Sequence, residues 1–163
     1  MKKILLLILS TVLFITLLGL FTGKKLASPP KTKIHIGQTE ISVEIADTAS
    51  KRQKGLSERK SLAAGEGMLF VFGQEDIQPP FWMKKMKFAI DIIWIDNNKI
   101  VQIDKNVPAP EPDTPNGELK LYLPSQPIDY VLEVKAGFVD EKNIKIGDSV
   151  SGLLKIRSNS KLN

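Results

Sequence analysis

The chain has 163 residues, with 23 Lys and Arg against 18 Asp and Glu, one histidine and no cysteine. The missing cysteines exclude a disulfide framework, a thiolate metal site and a cysteine nucleophile, so a small domain here must be held by its core. The pI near 9.3 invites a nucleic-acid reading, yet Lys2, Lys3, Lys24, Lys25, Lys31 and Lys33 all precede residue 34, where there is no acid; from Ile34 onward 17 basic residues stand against 18 acidic ones, so no nucleic-acid partner is expected.

Ile4 to Phe21 form an apolar run of 18 residues, flanked by Lys2-Lys3 and Lys24-Lys25. As a helix it would be roughly 27 Å long, close to the hydrocarbon thickness of a bilayer. The run is longer than a usual signal h-region, and its small residues are badly placed for cleavage: a cut after Ala27 puts Lys25 at minus three, and a cut after Gly23 puts Phe21 there. Residues 1–25 therefore read as a single-pass membrane anchor, with secretion after cleavage as the alternative. The positive-inside rule does not decide orientation here; the basic start followed directly by an apolar run favours an extracytoplasmic domain. Residues 26–33, with Pro29-Pro30, read as a stiff linker, residues 34–157 as one domain, and residues 158–163 as a tail.

From residue 33 the pattern turns to strand. Lys33–Gly37 and Thr39–Ala46 alternate, with Ile41, Val43 and Ile45 on one face, and Gly37-Gln38 between them predicts a tight hairpin. Asp47 or Thr48 as N-cap and Gly55 as a stop predict a two-turn helix. Gly67–Phe72 is a continuous apolar run and reads as a core strand. Phe81–Met83, Ala89–Asp96, Lys99–Asp104, Leu119–Leu123, Tyr130–Lys135 and Ser149–Ile156 supply further strands, with a turn at Asn97-Asn98 and one helical turn at Glu141–Ile144. Many short strands with few helices predict a mainly β fold, bordering on α+β: an antiparallel β-sandwich or barrel with one short helix, preceded by an N-terminal transmembrane helix. The segment Val107–Gly117 carries four prolines, which forbid a helix or a central strand, so it is either a stiff surface crossover or a ligand-facing lid.

One order of motifs resembles a known family. Arg52-x-x-Gly55-Leu56-x-x-Arg59-x-x-Leu62 is followed by Gly67-Met-Leu-Phe-x-Phe72, Phe81-Trp-Met-Lys84 and Ile90-Asp-Ile-x-x-Ile-Asp96. Tyr130-Val-Leu-Glu-Val134 with Gly137, and Ile146-Gly-Asp-x-Val150, close the series. Over residues 41–150 this resembles domain-of-unknown-function family 192. The resemblance implies a small β-rich domain, often exported, with no established activity. The chain departs from the family where Lys85-Met86 replaces the usual Asn-Thr, and where Ala89-Ile90-Asp91 replaces Pro-Leu-Asp.

Candidate site residues gather around Trp82. Strand alternation would place Trp82 and Lys84 on one face, a flat apolar platform with a cation at its edge, suited to a sugar, a carboxylate or a peptide backbone. The plain alternative is a core Trp82 with Lys84 reaching to solvent. Asp91 lies inside an apolar run that should be buried on both faces, and a buried carboxylate needs a partner. It is read either as an internal ion pair with Lys84, Arg52 or Arg59, as an acceptor of backbone N–H bonds, or as part of a polar pocket with Arg52 and Lys84. His35, the one histidine, stands apart from the recognisable motifs, and no metal, cofactor, phosphate-loop or nucleophile motif is present. The reading favoured is a membrane-tethered domain that binds a small ligand or an envelope partner through Arg52, Arg59, Trp82, Lys84 and Asp91, with the sequence leaning away from an enzyme without deciding the point. The alternatives are a carboxylate-based hydrolase acting on envelope material and an accessory subunit that pairs through an exposed edge strand.

Overall fold

Gly37 and Gln38 reverse the chain between β1 (Lys31–Ile36) and β2 (Thr39–Ala46), with Ile36 opposite Thr39 and Lys31 opposite Glu44. The computed structural model describes residues 29–154 and 156, so the expected anchor at 1–25 and the tail at 158–163 lie outside the described residues. Among the described residues, no helix is long and apolar enough to cross a membrane.

Helix α1 (Ala49–Lys54) follows as expected. Thr48 is its N-cap, the Thr48 hydroxyl accepting the Lys51 N–H, and the Gly55 N–H closes it on the Lys51 carbonyl. Gly55 adopts φ +50°, and a Cβ there would lie 3.4 Å from the Phe70 ring, so glycine both stops the helix and lets it sit close to the sheet. The chain then enters β3 (Glu66–Val71), which runs parallel to β2. This corrects the expectation of a wholly antiparallel sheet. The intervening residues 47–65 are long enough for a crossover connection, and a parallel neighbour needs one.

The remaining elements are β4 (Phe81–Trp82), β5 (Ile90–Asp96), β6 (Lys99–Val107), a 3-10 turn at Asn116–Glu118, β7 (Leu121–Tyr122), β8 (Tyr130–Lys135), α2 (Phe138–Glu141) and β9 (Val150–Ser151). Seven strands form one sheet in the order β6-β5-β8-β3-β2-β1-β9, and β4 pairs with β7 as a separate ribbon. The sheet curls into a half-barrel. Its two margins meet where Lys99 bridges Ser149 and the Ile100 N–H reaches the Asp148 carbonyl. The strand expected over Ser149–Ile156 is only two residues long, because the chain leaves the sheet at Gly152 (φ +93°) and buries Leu153 and Ile156 instead.

Alternation along the central strands divides the apolar residues between two faces. Leu69, Val71, Ile93, Ile95, Leu132 and Val134 pack with Val139 inside the curl. Met68, Phe70, Ile92, Trp94 and Val131 point the other way and are covered by Leu56, Leu62, Met83 and Met86. Both faces are buried, which is why these strands read as continuous apolar runs in the sequence.

Candidate functional site

On that second face, Glu133 occupies a core position of β8. Its row across the sheet runs Glu44 on β2, Met68 on β3, Glu133 on β8 and Ile92 on β5. Glu133 is 5% exposed, and its Oε2 is buried with no hydrogen-bond partner among the described residues. Burial pushes the carboxyl up to about 8, with the charge of Arg59 acting weakly in the opposite direction. The group is therefore mostly a neutral acid at pH 7.

Glu133 faces a cavity of about 260 Å³ lined also by Phe70, Phe72, Phe81, Trp82 and Arg52. Phe81 stands edge-on to Phe70 at 4.8 Å and to Trp94 at 5.4 Å, which locks one wall. Pro79 and Pro80 stiffen the approach to β4. Trp82 is 46% exposed, so it is no core residue; it stands at the cavity rim. Two hydrogen bonds tie the helix end to the turn after β4: the Ser57 hydroxyl donates to the Lys84 carbonyl and the Glu58 N–H to the Lys85 carbonyl.

Arg52 lines the same cavity. Its Nη1 donates to the carbonyls of Asp47 (2.7 Å) and Val71 (2.8 Å), and the guanidinium lies over the Phe72 ring. Nη2 and Nε have no acceptor among the described residues. Arg52 and Trp82 thus line one cavity.

The other three candidates go elsewhere. Arg59 forms a two-pronged pair with Glu44, with both N–O distances 2.6 Å. This pair holds the Glu44 carboxyl below its usual range and raises the Arg59 guanidinium. Lys84 does not share a strand face with Trp82, because β4 ends at Trp82 and the chain turns through Lys85 at φ +56°. Lys84 instead borders a separate groove with Lys85, Lys87 and the loop from Ala109 to Leu119. That proline loop does not line the Trp82 cavity, so it is no lid over it.

Asp91 is fully buried on the opposite face of the sheet, with Ile93 and Ile95, which rules out a pocket shared with Arg52 and Lys84. No Lys or Arg pairs with it among the described residues. Its two oxygens accept the N–H groups of Asn106 (2.8 Å) and Val139 (3.0 Å). Asn106 has φ +52° at an irregularity in the β5–β6 ladder, and α2 has no side-chain cap of its own. Asp91 supplies an acceptor to both backbone defects, which is the backbone-binding alternative for this residue.

Sequence reasoning missed Glu133, although the signal was available. Tyr130-Val-Leu-Glu-Val-Lys135 is an apolar strand with one acid in its interior, the same anomaly that singled out Asp91. Among the described residues no cluster of three His, Asp or Glu side chains converges as a metal site would require. His35 is a surface residue, 3.5 Å from a Glu40 oxygen.

Similar proteins carry the same frame. The UPF0127 protein PF1050 of Pyrococcus furiosus is 30% identical over 112 residues, covering 68% of this chain and 86% of its own. A crystal structure from Sinorhizobium meliloti, named as a candidate transcription regulator, aligns with TM-score 0.67 and 29% identity over 78% of this chain and 97% of its own. A protein of unknown function from Novosphingobium aromaticivorans shares the fold with TM-score 0.67 at 24% identity, covering 78% of this chain and 89% of its own. Residues 32–152 match the profile of DUF192, described as Uncharacterized ACR. The chain belongs to this uncharacterised family, domain-of-unknown-function family 192.

Proposed function

We propose that the domain is a binding module that takes a small ligand into the cavity beneath Trp82, and that residues 1–25 hold it at a membrane surface with the domain outside the cytoplasm. The observation that carries the binding reading is the combination in one cavity of aromatic walls, a half-exposed tryptophan and a buried acid whose Oε2 has no partner among the described residues. Apolar cavities with a few convergent polar groups are where ligands bind. At about 260 Å³ the space suits a molecule of one ring with a polar substituent. A two-acid hydrolase needs a second carboxylate across the cleft. Glu133 is the one acid lining this cavity among the described residues, and Glu44 is engaged by Arg59. The role in the name of the Sinorhizobium protein is not adopted, since residues 34 onward have no excess of basic charge with which to hold DNA.

Trp82 supplies the test. Trp94 is buried and bonded to Asp104, so ligand-dependent changes in emission come from Trp82. Fragments screened against the full chain should include compounds that shift this emission and raise the melting temperature, with the emission change lost in Trp82→Phe. Fragments that stabilise the protein equally well after Arg52→Met and Glu133→Leu, with no response from Trp82, would place binding elsewhere and overturn this reading.

A further inference from the structure

Glu133 sits in a central strand at a cost to folding that no contact among the described residues explains. A polar atom removed from water is normally hydrogen-bonded. Oε2 has no partner among the described residues, and Arg59 is engaged elsewhere: Glu44, which it grips, lies across Met68 from Glu133, two strand spacings or roughly 9–10 Å off. Among the described residues no lysine or arginine forms an ion pair with Glu133, and Arg59 acts on it only through space.

We propose, building on the binding reading above, that Glu133 meets its ligand as a neutral carboxylic acid, and that the cavity takes a flat compound with an amide-type edge. Such an edge places a hydrogen-bond donor beside an acceptor, as in a primary carboxamide or a lactam ring. A protonated carboxyl offers the same two functions in reverse, an O–H donor and a carbonyl acceptor. The pair gives the Glu133 carboxyl a donor and an acceptor without bringing a net charge into the apolar interior. The flat body follows from the walls, where Phe70, Phe72, Phe81 and Trp82 present ring faces and edges. A cationic amine is the natural rival, since aromatic rings and a carboxylate attract cations. Two features of the cavity oppose it. Arg52 and Lys54 border the cavity, and the Phe72 ring already carries the Arg52 guanidinium. Oxidised or covalent chemistry is not involved; the step is association alone.

Three probes of equal size and different head group separate the possibilities: benzamide, benzylammonium and benzoate, titrated into the full chain at pH 6.5 and followed by ligand-observed NMR and Trp82 emission. Benzamide should bind most tightly of the three. Glu133→Gln keeps a donor beside an acceptor and should stay within about threefold of the parent. Glu133→Leu offers neither and should weaken benzamide by about tenfold or more. Tighter binding of benzylammonium than of benzamide would make Glu133 a carboxylate counter-ion and overturn the proposal. Equal binding of benzamide to Glu133→Leu, or no binding of any probe, would also overturn it. The broader binding reading is judged separately, because it stands on the fragment screen and on Trp82→Phe.

Discussion

At the scale of single residues, two buried acids in one row across the sheet, separated by Met68 of β3, have opposite characters. Glu133 has its carboxyl raised from 4.5 to about 8 by burial. In the folded state it holds a proton that the unfolded chain has already released, so its contribution is undiminished below about pH 4.5 and stability falls as pH rises towards 8. The loss over that window is about 5 kcal/mol at roughly 1.4 kcal/mol per pK unit. Denaturant unfolding of Glu133→Gln should show that slope removed and the protein more stable than the parent at pH 8. Glu44 behaves the other way. Its carboxyl is lowered by Arg59, so its contribution is present above about pH 4.5 and disappears as pH falls through the folded value. Asp91 is a third case, a fastening for backbone. Asp91→Ala orphans the N–H groups of Asn106 and Val139 and should cost about 2–6 kcal/mol, at roughly 1–3 for each unsatisfied donor. Double-mutant cycles of Asp91 with Arg52, Arg59 or Lys84 should return no coupling; a coupling near 1 kcal/mol or more with any of them would contradict the backbone role.

At the scale of elements, the closest approach is between β3 and β8. A Cβ on Gly67 would sit 2.9 Å from the Glu133 carbonyl oxygen and 3.1 Å from a Leu132 methyl. The obstacle is backbone, so rotamer changes cannot relieve it. Gly67→Ala should destabilise by about 1–3 kcal/mol, measurable as a lower denaturant midpoint, and should displace the strand that carries Glu133. Ligand binding should weaken together with stability in this variant, whereas Glu133→Leu should lose binding while gaining stability. That contrast separates an element that positions the acid from the acid itself. Gly67 opens the Gly-Met-Leu-Phe motif by which the resemblance to the family is read in the sequence.

For the whole molecule, the membrane location proposed above rests on residues outside the half-barrel. The apolar run Ile4–Phe21 is expected to bring the full-length chain down with membranes, while residues 34–157 expressed separately stay in the supernatant. Protease added to intact cells or spheroplasts should reach the domain. Digestion only after lysis would reverse the orientation proposed for it. The half-barrel is closed late in the chain, where Gly147–Ser149 meets Asn98–Ile100 and β9 joins β1. Removing residues 150–163 would strip Val150, Leu153 and Ile156 from the inner core, and a lower melting temperature should follow.

The sequence by itself determined the local elements. The hairpin at Gly37-Gln38, the helix between Thr48 and Gly55, and the apolar strands β3, β5 and β8 were legible because side-chain periodicity, caps and turn residues act over a few positions. The family was legible for the same reason, through short motifs in a fixed order. Tertiary structure alone decided which strands became neighbours and which side of the sheet each polar residue met. The parallel pairing of β2 with β3 depends on the path of the crossover, and alternation cannot reveal it. Arg52, Trp82 and Glu133 come from α1, β4 and β8 and meet only once the sheet is assembled. A one-residue difference in phase sends Asp91 to the inner face to serve backbone N–H groups, while the phase of β8 turns Glu133 to the outer face and into the cavity.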